Sequence, residues 1–154
     1  MLGRTGVLAL KALLELAAEP GRWRSVSDLA ASQALPAAHL EQLLLRLRRA
    51  GVLAARRGRQ GGYQLATRPE ELSLSRVLRA VGAWPEGAAS PRRSEHPLVE
   101  AGPDPAAEQV AALLRQRLSR AVERELDSLT LAELLFDLRS ARASLSEEGG
   151  LMLG

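Results

Sequence analysis

Leucine, valine and alanine recur at three- and four-residue intervals through much of this chain, and the stretches that keep that period define its helices. The pattern predicts a first helix from Arg4 to Glu19, with Val7, Leu10, Leu14 and Ala17 on one face and Leu13 and Leu16 beside it. Pro20 and Gly21 end it. Ser25-Val26-Ser27-Asp28 has the form of a capping box and opens a short helix through Gln33. Ala34-Leu35-Pro36 then forms a tight turn. Pro36 suits the first position of the next helix, where an N–H would lack a partner anyway, and that helix runs to about Ala50, with Gly51 as its stop. Its core stripe is Leu40, Leu43, Leu44 and Leu47. At 100° per residue, Ala38, Gln42 and Arg49 lie opposite, flanked by Glu41, Leu45 and Arg46.

After Gly51 the period changes. Val52 to Arg57 and Tyr63 to Ala66 read as two strands around a turn, Gly58-Arg59-Gln60-Gly61-Gly62. A short helix follows from Ser73 to Val81, capped by Ser73, with Leu74, Val77, Leu78 and Val81 inward. From Gly82 to Pro103 the chain loses its apolar period and gains Pro85, Pro91, Pro97 and Pro103, which predicts a mobile linker loop. Asp104-Pro105 opens a long helix striped by Val110, Leu114, Leu118, Val122 and Leu126. Thr130 with Glu133 caps a last helix carrying Leu131, Leu134, Leu135 and Leu138. The long stripe must be buried, either against a second copy, which is the favoured reading, or across the N-terminal elements; the two are compatible.

A length of 154 residues fits one domain with an appended assembly element. No apolar run approaches the ~20 residues of a membrane span, and Glu15 and Glu19 interrupt the first one, so the expected location is the cytoplasm, away from membranes. The net charge is only +3, yet Arg46, Arg48, Arg49, Arg56, Arg57 and Arg59 fall within fourteen positions that hold no acid. A local basic patch matters more than the total, and it suits a polyanionic partner. Cysteine is absent, which excludes disulfides and every thiolate-held metal or iron-sulfur site.

Helix, tight turn, helix and a two-stranded ribbon is the layout that puts a second helix in the major groove of DNA while a hairpin reaches the adjacent backbone or minor groove. Several stretches sharpen that layout: LEQLLLRLRRAGVL from Leu40 to Leu53, the pair Arg57-Gly58, GGYQLA from Gly61 to Ala66, PEELSLSRVLRAV from Pro69 to Val81, and SLTLAELL from Ser128 to Leu135. With them the chain resembles, over most of its length, the Rrf-two family of bacterial winged-helix regulators, which includes the repressor of iron-sulfur cluster assembly and the regulator of cysteine metabolism. The implied fold is mostly α (α+β): a winged helix-turn-helix over residues 1–82, a linker loop over 83–103, dimerisation helices over 104–145 and a flexible tail over 146–154. The implied function is a sequence-specific DNA-binding transcription regulator, a repressor, acting as a homodimer on double-stranded DNA.

Carried over residue by residue, the resemblance points Glu41, Gln42 and their neighbours at base edges. A glutamate accepts from cytosine N4, glutamine pairs with adenine, and Ala37 or Ala38 lies against a thymine methyl. Glu41 has an equal alternative as a solvated residue or a partner for Arg48 or Arg56. His39 stands where the family often has tyrosine. Arg46, Arg48 and Arg49 suit phosphate, because a recognition helix reads with its N-terminal end. In the turn, Gly58 and Gly61 permit close approach, so that Arg56, Arg57 and Arg59 with Gln60 clamp phosphate or enter the minor groove.

Two departures from the family limit what is carried over. Its iron- and redox-sensing members hold a cluster through cysteines in the segment corresponding to residues 82–103, where this chain has no cysteine and where His96, Glu95 and Glu100 are poor cluster ligands. No cofactor is therefore expected, and control passes to a partner enzyme of cysteine synthesis or to a small-molecule effector. At the N-terminus, Val7-Leu8 replace the family's arginine-tyrosine pair, leaving Arg4 as the nearest arginine. The competing reading is a protein-protein adaptor that keeps the winged-helix shape without reading DNA. Catalysis is not expected: Gly-x-Ser-x-Gly, phosphate-loop and His-Glu-x-x-His motifs are all missing, and His39 and His96 lie far apart.

Overall fold

In a computed structural model, which describes residues 2–85 and 104–151, the helices are α1 (Arg4–Ala18), α2 (Val26–Gln33), α3 (Ala37–Arg49), α4 (Leu74–Ala80), α5 (Pro105–Ser128) and α6 (Leu131–Leu151). Strands β1 (Leu53–Arg56) and β2 (Gly62–Leu65) sit between α3 and α4, and a 3-10 turn covers Pro69–Glu71. The two strands pair antiparallel from Leu53↔Leu65 to Arg56↔Gly62, so Gly62 belongs to the ribbon and Arg57 to its turn. The expected linker from residue 86 to 103 lies outside the described residues.

Local signals act where the sequence puts them. Ser25 Oγ accepts from the Asp28 N–H (3.1 Å), Ser73 Oγ from Arg76 N–H (3.4 Å), and Asp104 Oδ1 from Ala106 N–H (2.9 Å). Thr130 and Glu133 complete a reciprocal box, with Thr130 N–H donating to Glu133 Oε2 (2.7 Å) and Glu133 N–H to Thr130 Oγ1 (3.4 Å). Pro36 falls one residue outside α3: its ψ of 125° is extended, and its carbonyl accepts from His39 and Leu40 as a cap does. Gly51, at φ 76°, turns the chain out of α3 in the left-handed conformation that L-residues resist.

The core is one cluster. Leu40, Leu43, Leu44 and Leu47 are all buried, and they meet Leu13, Leu16, Leu29, Val52, Leu72, Val77 and Leu131. Each such side chain contributes about 1.5–3 kcal/mol by leaving water. In α1 the buried face differs from the sequence expectation: Leu8, Ala9, Ala12, Leu13, Leu16 and Ala17 are inside, while Val7, Leu10 and Leu14 are only half-buried. The cause is that α1 is covered from several sides, by α2, α3, α4, β2 and α6, so no single stripe describes it. Leu131 and Leu135 seat α6 in the same core.

The long stripe of α5 divides. Ser119 is buried and Val122 and Leu126 are half-buried where the helix meets α4, pinned by an Arg79–Glu123 ion pair (2.5 Å). Val110, Leu114 and Leu118 remain 65%, 56% and 55% exposed, joined by Leu113. The helix α6 continues through Leu151, six residues into the stretch expected as a tail. Ser144 and Ser146 donate back to the carbonyls of Ser140 and Arg142, and no proline intervenes to break the ladder.

Candidate nucleic-acid interface

The helices α2 and α3 meet across a turn held by Ala34 at φ 51°, with Leu35 N–H donating to the Ala30 carbonyl (3.0 Å). That turn and the buried leucines of α3 fix which face looks outward. Ala37, Ala38, His39, Glu41, Gln42, Arg48 and Arg49 are all exposed, and Leu45 is half-buried among them. Glu41 has no ion-pair or hydrogen-bond partner among the described residues, so the pairing with Arg48 or Arg56 is not formed.

Arg46 behaves differently from its neighbours. Its guanidinium reaches sideways and donates to the Val81 carbonyl at the end of α4 (3.1 Å), tying α3 to the helix behind it. The expectation of a phosphate ligand at Arg46 meets a group already committed within the fold. A sequence gives no sign of a backbone acceptor thirty-five positions away.

The ribbon projects beside α3. Arg57, Gly58, Arg59 and Gln60 are exposed at its tip, and neither Arg57 nor Arg59 has a hydrogen-bond or ion-pair partner among the described residues. Arg56 is engaged: its guanidinium lies 4.7 Å from the Trp23 ring centroid and donates to the Gln60 carbonyl (2.6 Å). It therefore shapes the turn rather than standing free. Gly61 lies where a Cβ would come 2.1 Å from the Arg56 carbonyl, so the tight tip requires glycine.

The base of the ribbon has an anchor that the sequence did not disclose. Arg24 pairs with Tyr63 in both directions, N–H to carbonyl at 3.0 Å and the reverse at 2.7 Å, an isolated antiparallel bridge at the edge of the two-stranded sheet. Gly62 makes this approach possible: at φ 135° its missing Cβ would sit 2.2 Å from the Arg24 carbonyl. Gly62→Ala is expected to lower stability by at least ~2 kcal/mol, read as the urea midpoint, since strain and a backbone clash coincide. An unchanged midpoint would show that the ribbon does not rest on Arg24.

The Arg24 guanidinium turns inward to Glu15 on α1 (2.8 Å), which also accepts from Gln33 (2.6 Å) and from the Ser32 hydroxyl. Burial pushes the Glu15 carboxyl up, but the bonds from Ser32, Gln33 and Arg24 outweigh it and leave the pKa below the ordinary 4.5. A lowered folded-state pKa stabilises the fold above about pH 4.5 and loses that stabilisation as pH falls further. Glu15→Gln should flatten the acid limb of a stability–pH profile below 4.5; an acid limb unchanged from the parent would remove Glu15 as its source.

Among the described residues no group of three or more His, Asp or Glu side chains is placed to hold a metal ion, and no helix is long and apolar enough to cross a membrane. What the fold does assemble is a helix-turn-helix with an exposed polar second helix, and beside it a glycine-tipped ribbon that presents two exposed arginines, Arg57 and Arg59. That combination defines a winged-helix transcriptional regulator of the DNA-binding class.

Comparison with known proteins gives the family. A model described as "Iron-dependent Transcriptional regulator", that of Rrf2, matches residues 2–137, and the chain belongs to this family. A protein of Synechocystis sp., named among the HTH-type transcriptional regulators, is 37% identical over 142 residues, 90% of each chain. Among solved structures, CymR, the global cysteine regulator of B. subtilis, matches with a TM-score of 0.65 and 28% identity over 88% of this chain and 95% of its own. The IscR of T. potens matches with a TM-score of 0.68 and 29% identity over 92% and 90%.

Among the described residues no group of side chains is placed to hold the iron that the family description names. With no cysteine in 154 residues, a thiolate-held cluster has no ligands.

Proposed function

We propose that the chain binds specific duplex DNA as a homodimer and represses transcription in the cytoplasm, without an iron-sulfur cluster. The observation that carries this reading is the set of arginines without a hydrogen-bond or ion-pair partner among the described residues, Arg48 and Arg49 on α3 and Arg57 and Arg59 on the ribbon, on elements that adjoin one exposed helix face. Four cations on adjoining elements, with no counter-charge among the described residues, suit a phosphate-lined surface.

On this reading Glu41, Gln42 and His39 reach base edges, with Ala37 and Ala38 small enough to let the helix approach and to touch a thymine methyl. Arg48 and Arg49 lie further along α3, over the flanking phosphates. Arg57 and Arg59 reach backbone or minor groove, with Gln60, Gly58 and Gly61 forming the narrow tip between them. Arg46 and Arg56 act as positioning residues, holding α3 and the turn in place.

The homodimer forms through α5. Val110, Leu114 and Leu118 leave an apolar stripe without cover in the single chain, while Val122 and Leu126 continue it toward the domain. Stripe against stripe makes an isologous contact that pairs two recognition helices for two half-sites. A partner enzyme or a small-molecule effector then sets DNA affinity.

Enrichment of random duplexes on the purified protein tests the proposal. It predicts a two-fold symmetric motif with two half-sites about one helical turn apart. No enriched motif, with or without added metabolites, would favour a protein-protein adaptor instead.

A further inference from the structure

A cleft of about 470 Å³ opens between α1, α2 and α6, on the far side of Arg24 from the ribbon. Its size lies within the range of small-molecule sites. Its lining mixes apolar Leu14 and Leu138 with the cations Lys11, Arg24 and Arg142. We propose that this cleft is a site for a small dicarboxylate of four or five carbons, and that its occupancy is passed to the ribbon through Arg24.

The charges favour an anion. Glu15, the acid nearest Arg24, is saturated by Arg24, Ser32 and Gln33, and Glu19 is taken by Arg22 outside the cleft. Lys11 and Arg142 are left with no ion-pair partner among the described residues. Arg24 adds a buried Nε with no hydrogen-bond partner, although its side chain is only 12% exposed. Leaving a buried donor unpaired is unfavourable, and a movement of Arg24 toward an anion in the cleft would give it a partner. Two uncommitted cations on two helices, with Leu14 and Leu138 beside them, match two carboxylates joined by methylenes.

The route outward is short. Arg24 contributes its guanidinium to the cleft and, through the same residue's N–H and carbonyl, the bridge to Tyr63 of the ribbon. Ser32 and Gln33 belong to the helix that precedes α3 across the Ala34 turn. A ligand that draws Arg24 away from Glu15 therefore bears on both DNA-facing elements. The binding claim stands apart from the DNA reading; only its regulatory meaning rests on that reading.

Calorimetric titration of the full chain with succinate and with glutarate, at constant ionic strength, tests the site without DNA. One saturable site per chain is expected, weakened about tenfold or more by Lys11→Glu and by Arg142→Glu, the loss of one charge-assisted hydrogen bond each. Lys11→Gln and Arg142→Gln serve where a reversal disturbs folding. In a Trp84→Phe background, emission from Trp23, which adjoins Arg24, should shift on saturation. No saturable binding of either acid, binding indifferent to both substitutions, or tighter binding of inorganic phosphate would overturn the dicarboxylate assignment. Saturation with unchanged Trp23 emission would overturn the transmission through Arg24.

Discussion

Arg57→Glu combined with Arg59→Glu is expected to reduce affinity for the enriched duplex by at least ~100-fold. A hydrogen bond to a charged group contributes about 1.5–3 kcal/mol, and two lost per protomer already exceed that factor before repulsion is added. The same change should leave the fold alone, because both side chains are exposed and make no contact that the ribbon needs. Melting temperature and circular dichroism check that half of the expectation, and fluorescence anisotropy on labelled duplex checks the other. Arg56→Ala gives an instructive contrast: it removes a charge too, but one held against Trp23 and Gln60, so its effect should come with altered Trp23 emission. Full affinity in the double reversal would remove the ribbon from the interface.

The second large effect concerns α5. Leu114→Glu with Leu118→Glu is expected to convert a dimer to a monomer, seen by light scattering on a sizing column, and with it to lose duplex affinity at least ~100-fold. The two residues are one helical turn apart on one exposed face, so both charges would be forced into the same apolar contact. Neither is needed within the chain, where they stand 56% and 55% exposed, and helical content should persist. Affinity falls because two half-sites engaged together gain from effective concentration, which separate monomers forfeit. A parent protein that is monomeric, or a doubly substituted one that stays dimeric, would remove α5 from the assembly.

How far the fold was legible follows from the range of the forces that set each part. The stripe Leu40, Leu43, Leu44, Leu47 and the caps at Ser25, Ser73, Asp104 and Thr130 depend on neighbours three or four positions away, and the structure shows them as the sequence predicts. The face of α1 was less readable, since a helix enclosed by five elements has apolar residues around most of its circumference. The extension of α6 was hidden by Gly149 and Gly150, which weaken a helix without ending it.

The candidate site divides the same way. Exposure of Ala38, Glu41, Gln42 and Arg49 follows directly from the position of the leucines, one period fixing the other. Engagement of Arg46 by Val81 and of Arg56 by Trp23 depends on groups brought near only by the finished fold. Arg24 was missed for the same reason: next to Ser25 it reads as part of a connection, yet it joins the ribbon, α1 and the cleft. Its one available signal was Gly62, a second glycine after Gly61 in a strand register where only a close backbone approach requires it.

The central claim is that uncommitted arginines on α3 and the ribbon lie against phosphate, and the salt dependence of duplex affinity measures this most directly. Titrations of the parent and of Arg59→Gln across a series of salt concentrations should give straight lines in log Kd against log salt, with a slope of about 0.9 for each phosphate neutralised. Removing Arg59 from both protomers should lower that slope by about 1.8. A slope near zero in the parent, or one that Arg59→Gln leaves unchanged, would contradict the account.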